Sequence, residues 1–135
     1  MMSSQQATTV LVVEDEGLVR LDAAESLRDA GFEVLEASDA REALEAMEQR
    51  DDIGVVFTDI DMPGGMDGLE LARQVRRARP RTGLILTSGS MRPDPRQMPV
   101  GGAFLSKPYS ADVVASTIRR MLAYRALAVR RSTRH

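Results

Sequence analysis

Three short runs, "VLVV" (10–13), "IGVVFT" (53–58) and "LILTS" (84–88), are apolar almost throughout and break off abruptly into polar residues. A strand with one face in water alternates apolar and polar side chains, so unbroken runs of this length call for strands buried on both faces. Burial on both faces needs covering layers, and the intervening segments supply them. Leu18, Leu21, Ala24 and Leu27 form a helical stripe over 18–30, with Gly31 as its stop. Asp39 and Glu42 make a capping-box pattern that opens a helix to about Arg50. A third helix starts near its N-cap Asp67 and must end before Pro80. Val113, Val114, Ile118, Met121 and Leu122 mark an amphipathic helix from Ser110 to about Tyr124. "EVLEA" (33–37) alternates like an edge strand, and "AFLS" (103–106) makes a short last one. Strands alternating with helices predict an α/β fold with a parallel five-stranded sheet between two helical layers.

One interval breaks the rhythm. "SMRPDPRQMPVGG" stands where the fourth helix should be, and Pro93, Pro95 and Pro99 with Gly101 and Gly102 cannot sustain one. The sequence predicts a loop or a single turn there. No composition break or repeat divides the 135 residues, so one domain is expected over 9–125, with a disordered stretch at 1–8 and a basic tail at 126–135. The "ARQVRRARPR" cluster reads as a solvated helix face, and Met47, Met62, Met66, Met91, Met98 and Met121 as core or loop fillers.

Composition then removes whole classes of chemistry. The chain has no cysteine, and its single histidine is His135, the last residue. Thiolate nucleophiles, Ser-His-Asp triads and histidine-ligated metals are thereby set aside. The net charge of -2 argues against a general nucleic-acid binder. No secretory signal and no apolar stretch of about 18 residues is present, and a cytoplasmic protein without a membrane span is expected. What remains is oxygen chemistry with a lysine and, if a metal binds, a hard cation.

In a parallel α/β sheet, ligands bind beyond the carboxyl ends of the strands. Here the first strand ends in Glu14 and Asp15, the second buried one in Asp59 followed by Asp61, the third in Thr87 and Ser88, and the last in Ser106 and Lys107. Crowded carboxylates repel one another and call for a counter-charge, which Mg²⁺ supplies with carboxylate, carbonyl and water ligands. That cation can bridge to a phosphoryl group while Lys107 and a strand-end hydroxyl hold its other oxygens. Asp59 can then act as nucleophile and form an acyl phosphate. Pro63, Gly64 and Gly65 let the loop turn tightly, which brings a backbone carbonyl near Asp61 within reach of the metal.

"LVVEDE", "TDIDMPGGMDG", "LTSG" and "KPY", in this order and each at an expected strand end, resemble the receiver domain of two-component response regulators, the CheY-like family. The resemblance covers about residues 9 to 125. It implies a flavodoxin-like (βα)5 three-layer sandwich with strand order 2-1-3-4-5. It also implies phosphotransfer to Asp59 from a sensor histidine kinase or histidine phosphotransfer protein, with Mg²⁺-dependent self-phosphorylation and autodephosphorylation. Glu14 and Asp15 match the family's acidic pair, Lys107 its phosphate-contacting lysine and Pro108 the cis-type proline. Ser88 followed by Gly89 fits the family's switch hydroxyl better than Thr87, which remains the alternative. Phe104 falls at the aromatic switch position and lacks a hydroxyl.

With no DNA-binding domain in sight, a stand-alone receiver with a possible downstream protein target is expected. Two other readings compete. "DID" is similar to the DxD motif of haloacid-dehalogenase-type phosphatases, but that motif should follow the first strand. A degenerate receiver working by protein contact alone would have lost the acceptor, acids, hydroxyl or lysine, and all are present.

Overall fold

A computed structural model describes residues 8–90 and 92–132, with side chains to residue 127. The expected disordered start (apart from Thr8), Met91 and His135 lie outside the described residues. The chain runs β1 (Thr9–Val13), α1 (Gly17–Asp29), β2 (Glu33–Ala37), α2 (Ala40–Gln49), β3 (Ile53–Asp59), α3 (Gly68–Ala78), β4 (Gly83–Ser88), β5 (Ala103–Ser106) and α4 (Ala111–Ser132). All neighbours pair in parallel, in the order β2-β1-β3-β4-β5.

Alternate side chains of a strand face opposite ways, which divides the core into two layers. Leu11, Val56, Leu84 and Leu86 pack with Met47, Leu71 and Val75 of α2 and α3. Val10, Val12, Val55, Phe57 and Ile85 pack with Ala24, Leu27, Val114 and Ile118 of α1 and α4. Each buried Val, Leu, Ile, Phe or Met side chain among these stabilises the fold by about 1.5–3 kcal/mol relative to exposure. The central strands have no solvated face, and this is why their sequences do not alternate.

Helix starts follow the sequence closely. The Asp39 carboxylate accepts from the Glu42 N–H at 2.8 Å, and Asp67 accepts from Glu70 at 3.0 Å. Glu42 reaches one residue further back than a capping box requires, to the Ser38 N–H at 2.8 Å. Gly31, at φ 101°, takes the left-handed turn that ends α1.

Two helix expectations need correction. In α1 the inward residues are Ala23, Ala24 and Leu27, whereas Leu18 is 79% exposed and Leu21 is 43% exposed. At about 100° per residue, Leu18 sits roughly opposite the inward arc, so the apolar spacing began on the wrong side. The last helix does not stop near Tyr124 but runs to Ser132, and Val113 faces outward while Val114, Ala115 and Ile118 face in. Alanine, leucine and arginine are strong helix formers, and no glycine or proline interrupts them before residue 132.

The proline-rich interval behaves as expected. Among its described residues the regular structure is a single three-residue 3-10 turn, Pro95–Gln97, opened by Asp94, whose carboxylate accepts from the Arg96 N–H at 2.9 Å. Arg73 of α3 donates to the Gln97 carbonyl at 3.2 Å and ties the segment down. Among the described residues there are therefore four α-helices where five strands would allow five.

Candidate phosphoacceptor site

Strand register brings the polar ends to one level. Val13 pairs with Ala37 and Thr58, Asp59 with Thr87, and Ser88 with Ser106. Three backbone bonds extend the sheet one step further: Glu14 N–H to the Ala37 carbonyl (3.1 Å), Ile60 to Thr87 (2.8 Å) and Lys107 to Ser88 (3.0 Å). Glu14, Asp59 and Lys107 are thus held by the sheet itself and not by free loops.

The carboxylates of Glu14, Asp15 and Asp59 each offer an oxygen within 4.8 Å of the others, with Glu14 and Asp59 buried and Asp15 exposed. Lys107 closes the group, its Nζ donating to Asp59 Oδ2 at 2.9 Å and to Glu14 Oε1 at 3.3 Å. The lysine comes from beyond β5, so its side chain spans the width of β4 to reach Asp59. Burial raises the Glu14 carboxyl above its ordinary value; the Glu16 N–H opposes this and the neighbouring Asp59 charge reinforces it. Burial works against the Lys107 ammonium, yet its bonds and attraction to Asp59, with Glu14 behind, leave its pKa above the ordinary value. One ammonium contacts two of the three acids and offsets a single negative charge. The set is short of positive charge and made only of oxygens, which suits a hard divalent cation.

Ser88 is buried, and its hydroxyl donates to Asp61 Oδ2 at 2.5 Å. Ser90 joins them, its N–H donating to Ser88 Oγ at 3.2 Å and its hydroxyl to Asp61 Oδ2 at 3.3 Å. The Asp61 N–H donates to Asp59 Oδ1 at 3.0 Å. Thr87 is also buried, but its hydroxyl has no hydrogen-bond partner. Phe104 stands apart from the acids: it packs against the α2–α3 layer of the core, with the Arg92 guanidinium 5.3 Å from its ring centre.

Three residues of the site escaped sequence reasoning. Arg20 donates from α1 to the Glu14 carbonyl at 2.8 Å and steadies the acidic loop; an arginine on a helix gives no sign of its partner. Ser90 opens the proline-rich interval, where the sequence signals only a loop. Gly68 begins α3 directly against the end of β3, where a Cβ would stand 2.8 Å from both the Asp59 carbonyl carbon and the Ile60 Cα. Its position after the N-cap was the available signal, since a helix start packed on a strand end leaves no room for a side chain.

Residues 10–119 match the family model described as "Response regulator receiver domain". The chain is 38% identical over 120 residues to the sensor kinase CckA of Brucella abortus, covering 86% of this chain and 13% of that protein. It is 38% identical over 105 residues to the transcriptional regulatory protein PdtaR of Mycobacterium tuberculosis, covering 75% of this chain and 50% of that protein. The chain thus spans half or less of these relatives' own length. The crystal structure of a response regulator receiver protein from Sinorhizobium medicae superposes with a TM-score of 0.84 at 28% identity, covering 89% of this chain and 98% of that one.

Proposed function

Since the chain belongs to the response regulator receiver family, we propose that it relays a signal by accepting a phosphoryl group on Asp59 from a sensor histidine kinase or histidine phosphotransfer protein. The observation that carries this reading is the buried Asp59 carboxylate bonded to Lys107 at 2.9 Å beside two further acids at the strand ends. An Asp59 oxygen attacks phosphorus, the phosphorus–nitrogen bond of a phosphohistidine breaks, and the departing imidazole keeps the electron pair and takes a proton from solvent. Hydrolysis by water restores the carboxylate and releases inorganic phosphate.

Glu14, Asp15, Asp59 and the backbone carbonyl of Asp61 would hold Mg²⁺, which supplies the positive charge that lets a phosphoryl anion approach the acids. Lys107 neutralises one phosphoryl oxygen. Ser88 gives up its bond to Asp61 and donates to another, which transmits the event to Ser90 and the segment beyond. Phe104 responds through packing alone, having no hydroxyl to offer. The same chemistry run from a small phosphodonor gives Mg²⁺-dependent self-phosphorylation and slow autodephosphorylation. The output is a change in affinity for a downstream protein target in the cytoplasm. Among the described residues no helix is long and apolar enough to cross a membrane.

Incubation with Mg²⁺ and acetyl phosphate, read by intact mass, is expected to add one hydroxylamine-sensitive phosphoryl group. EDTA abolishes it, and so does Asp59→Asn. Undiminished labelling of the Asp59→Asn protein would overturn the assignment.

A further inference from the structure

Charge is divided unevenly along this chain. Residues 1–70 hold eighteen acidic side chains and four arginines, whereas residues 71–135 hold two acids and fourteen basic side chains. The sheet order turns that division into a spatial one. β2, β1 and β3, with α1 and α2 packed on them, come from the acidic stretch; β4, β5, α4 and all but the start of α3 come from the basic one. In each helical layer an acidic helix lies beside a basic one, α1 beside α4 and α2 beside α3. The domain is therefore negative toward its β2 edge and positive toward its β5 edge.

Apart from Glu70 at the start of α3, which pairs with Arg73 and Arg77, and the Lys107 pairs, the halves do not cancel internally. Among the described residues, Arg20–Glu36, Arg28–Glu36, Arg41–Glu45 and Arg50–Asp52 are ion pairs within the acidic half. Arg73–Glu70, Arg77–Glu70 and Arg96–Asp94 belong to α3 and the segment after β4. Lys107, inside the phosphoacceptor site, makes the pairs that join β5 to β1 and β3. The excess is left in solvent: Asp22, Glu25 and Glu48 are exposed on α1 and α2, and Arg81 and Arg120 are exposed beside α3 and on α4. Each half also exposes large apolar side chains, Leu21 on α1 and Tyr124 on α4 among them.

We propose that this chain associates with a second copy of itself head to tail, the acidic face of one copy against the basic face of the next. Charge complementarity selects this occupant. The two excesses are nearly equal and opposite, so one molecule supplies both partners of the contact. A polyanion such as nucleic acid or an anionic membrane would meet a net charge of -2 and a strongly negative half, which oppose its approach. Because the faces lie on opposite edges, the contact is heterologous and extends into short chains of copies instead of closing as a two-fold dimer. Exposed ion pairs are individually weak, so the association is reversible and governed by salt: the screening length is about 30 Å at 0.01 M ionic strength and about 3 Å at 1 M.

Sedimentation velocity on the full chain tests this. At about 10 mM salt the weight-average sedimentation coefficient is expected to climb with concentration past that of a dimer, and at about 1 M to stay at the monomer value. The variants Asp22→Arg/Glu25→Arg/Glu48→Arg and Arg81→Glu/Arg120→Glu, their folding checked by circular dichroism, should each stay monomeric alone and associate when mixed. Should either fail to fold, Glu48→Arg and Arg81→Glu serve in the same mixing experiment. A wild-type protein that is monomeric at every concentration in low salt overturns the proposal. So does a closed dimer that resists salt, a mixture that stays monomeric, or heparin binding without self-association.

Discussion

Replacing Gly68 by alanine would place a methyl group where backbone already stands. The added Cβ lies 2.8 Å from the Asp59 carbonyl carbon and from the Ile60 Cα, with the Asp59 carbonyl oxygen closer still. Carbon atoms in contact settle at about 3.5–4.0 Å, so helix start and strand end must part by roughly 1 Å. Neither side is free to yield. The Gly68 N–H donates to the Ile60 carbonyl at 3.0 Å, and the Ile60 N–H donates to Thr87 at 2.8 Å. Overpacking of a filled site costs about 1–3 kcal/mol, and a clash with backbone belongs at the upper end. Alanine's better helix propensity returns about 1 kcal/mol, which leaves a net loss of about 2 kcal/mol. Urea unfolding should show this as a midpoint lowered by roughly 1 M with an unchanged slope. Gly65→Ala is the control: its Cβ meets nothing within 4 Å, and its stability should stay within about 0.5 kcal/mol of wild type. Displacement of Asp59 should also weaken beryllofluoride binding in the Gly68 variant alone. Equal midpoints for the two variants would refute the packing account.

Lys107→Ala leaves Glu14 and Asp59 without their ammonium, and the metal-free protein should lose about 2 kcal/mol in urea unfolding. Mg²⁺ should then raise the melting temperature of this variant more than that of wild type; an equal rise would show that lysine and cation do not share a role. The Lys107 contribution is fully present below its ordinary pKa of 10.5 and is lost as pH climbs through its raised folded value, so Lys107→Ala should flatten the alkaline arm of the stability profile. Because the folded Glu14 carboxyl is raised, its ionisation opposes folding above its ordinary pKa of 4.5, and Glu14→Gln should stabilise the metal-free protein at pH 7 but not at pH 3. A pH-independent effect would point to packing in its place. Finally, amide exchange across residues 90–102 should be fast in the metal-free state and slow with Mg²⁺ and beryllofluoride, since proline and glycine leave little helical bonding there; strong protection before the mimic is added would refute an ordering switch.

Most of this architecture was legible because its signals are local. An unbroken apolar run such as Val10–Val13 states that both faces are buried, and Asp39 and Asp67 announce helix starts through bonds made within three residues. The strand-end acids and Lys107 were legible for a further reason: in a parallel sheet, position along the strand already fixes the level at which a side chain emerges. Contacts between elements were not legible. Arg20 meets the Glu14 carbonyl, Ser88 meets Asp61 and Gly68 meets Asp59 through the way loops fold over the sheet. Leu18 was misread for a related reason: apolar spacing gives a helix its period, but the direction in which that stripe points depends on how the helix enters from β1.

The lysine that reaches across β4 is 93 positions from Glu14 and 48 from Asp59. A chain leaving the ribosome therefore displays its acids long before the residue that balances them exists. With three strands made, the carboxylates are exposed to one another and to solvent; with four, the span that Lys107 must cross is only just laid down. The acidic cluster gains its ammonium only when the last strand docks. A copy cut short before β5, or folded without it, keeps its acids and lacks their ammonium, so the charge balance of this site is a property of the finished domain alone.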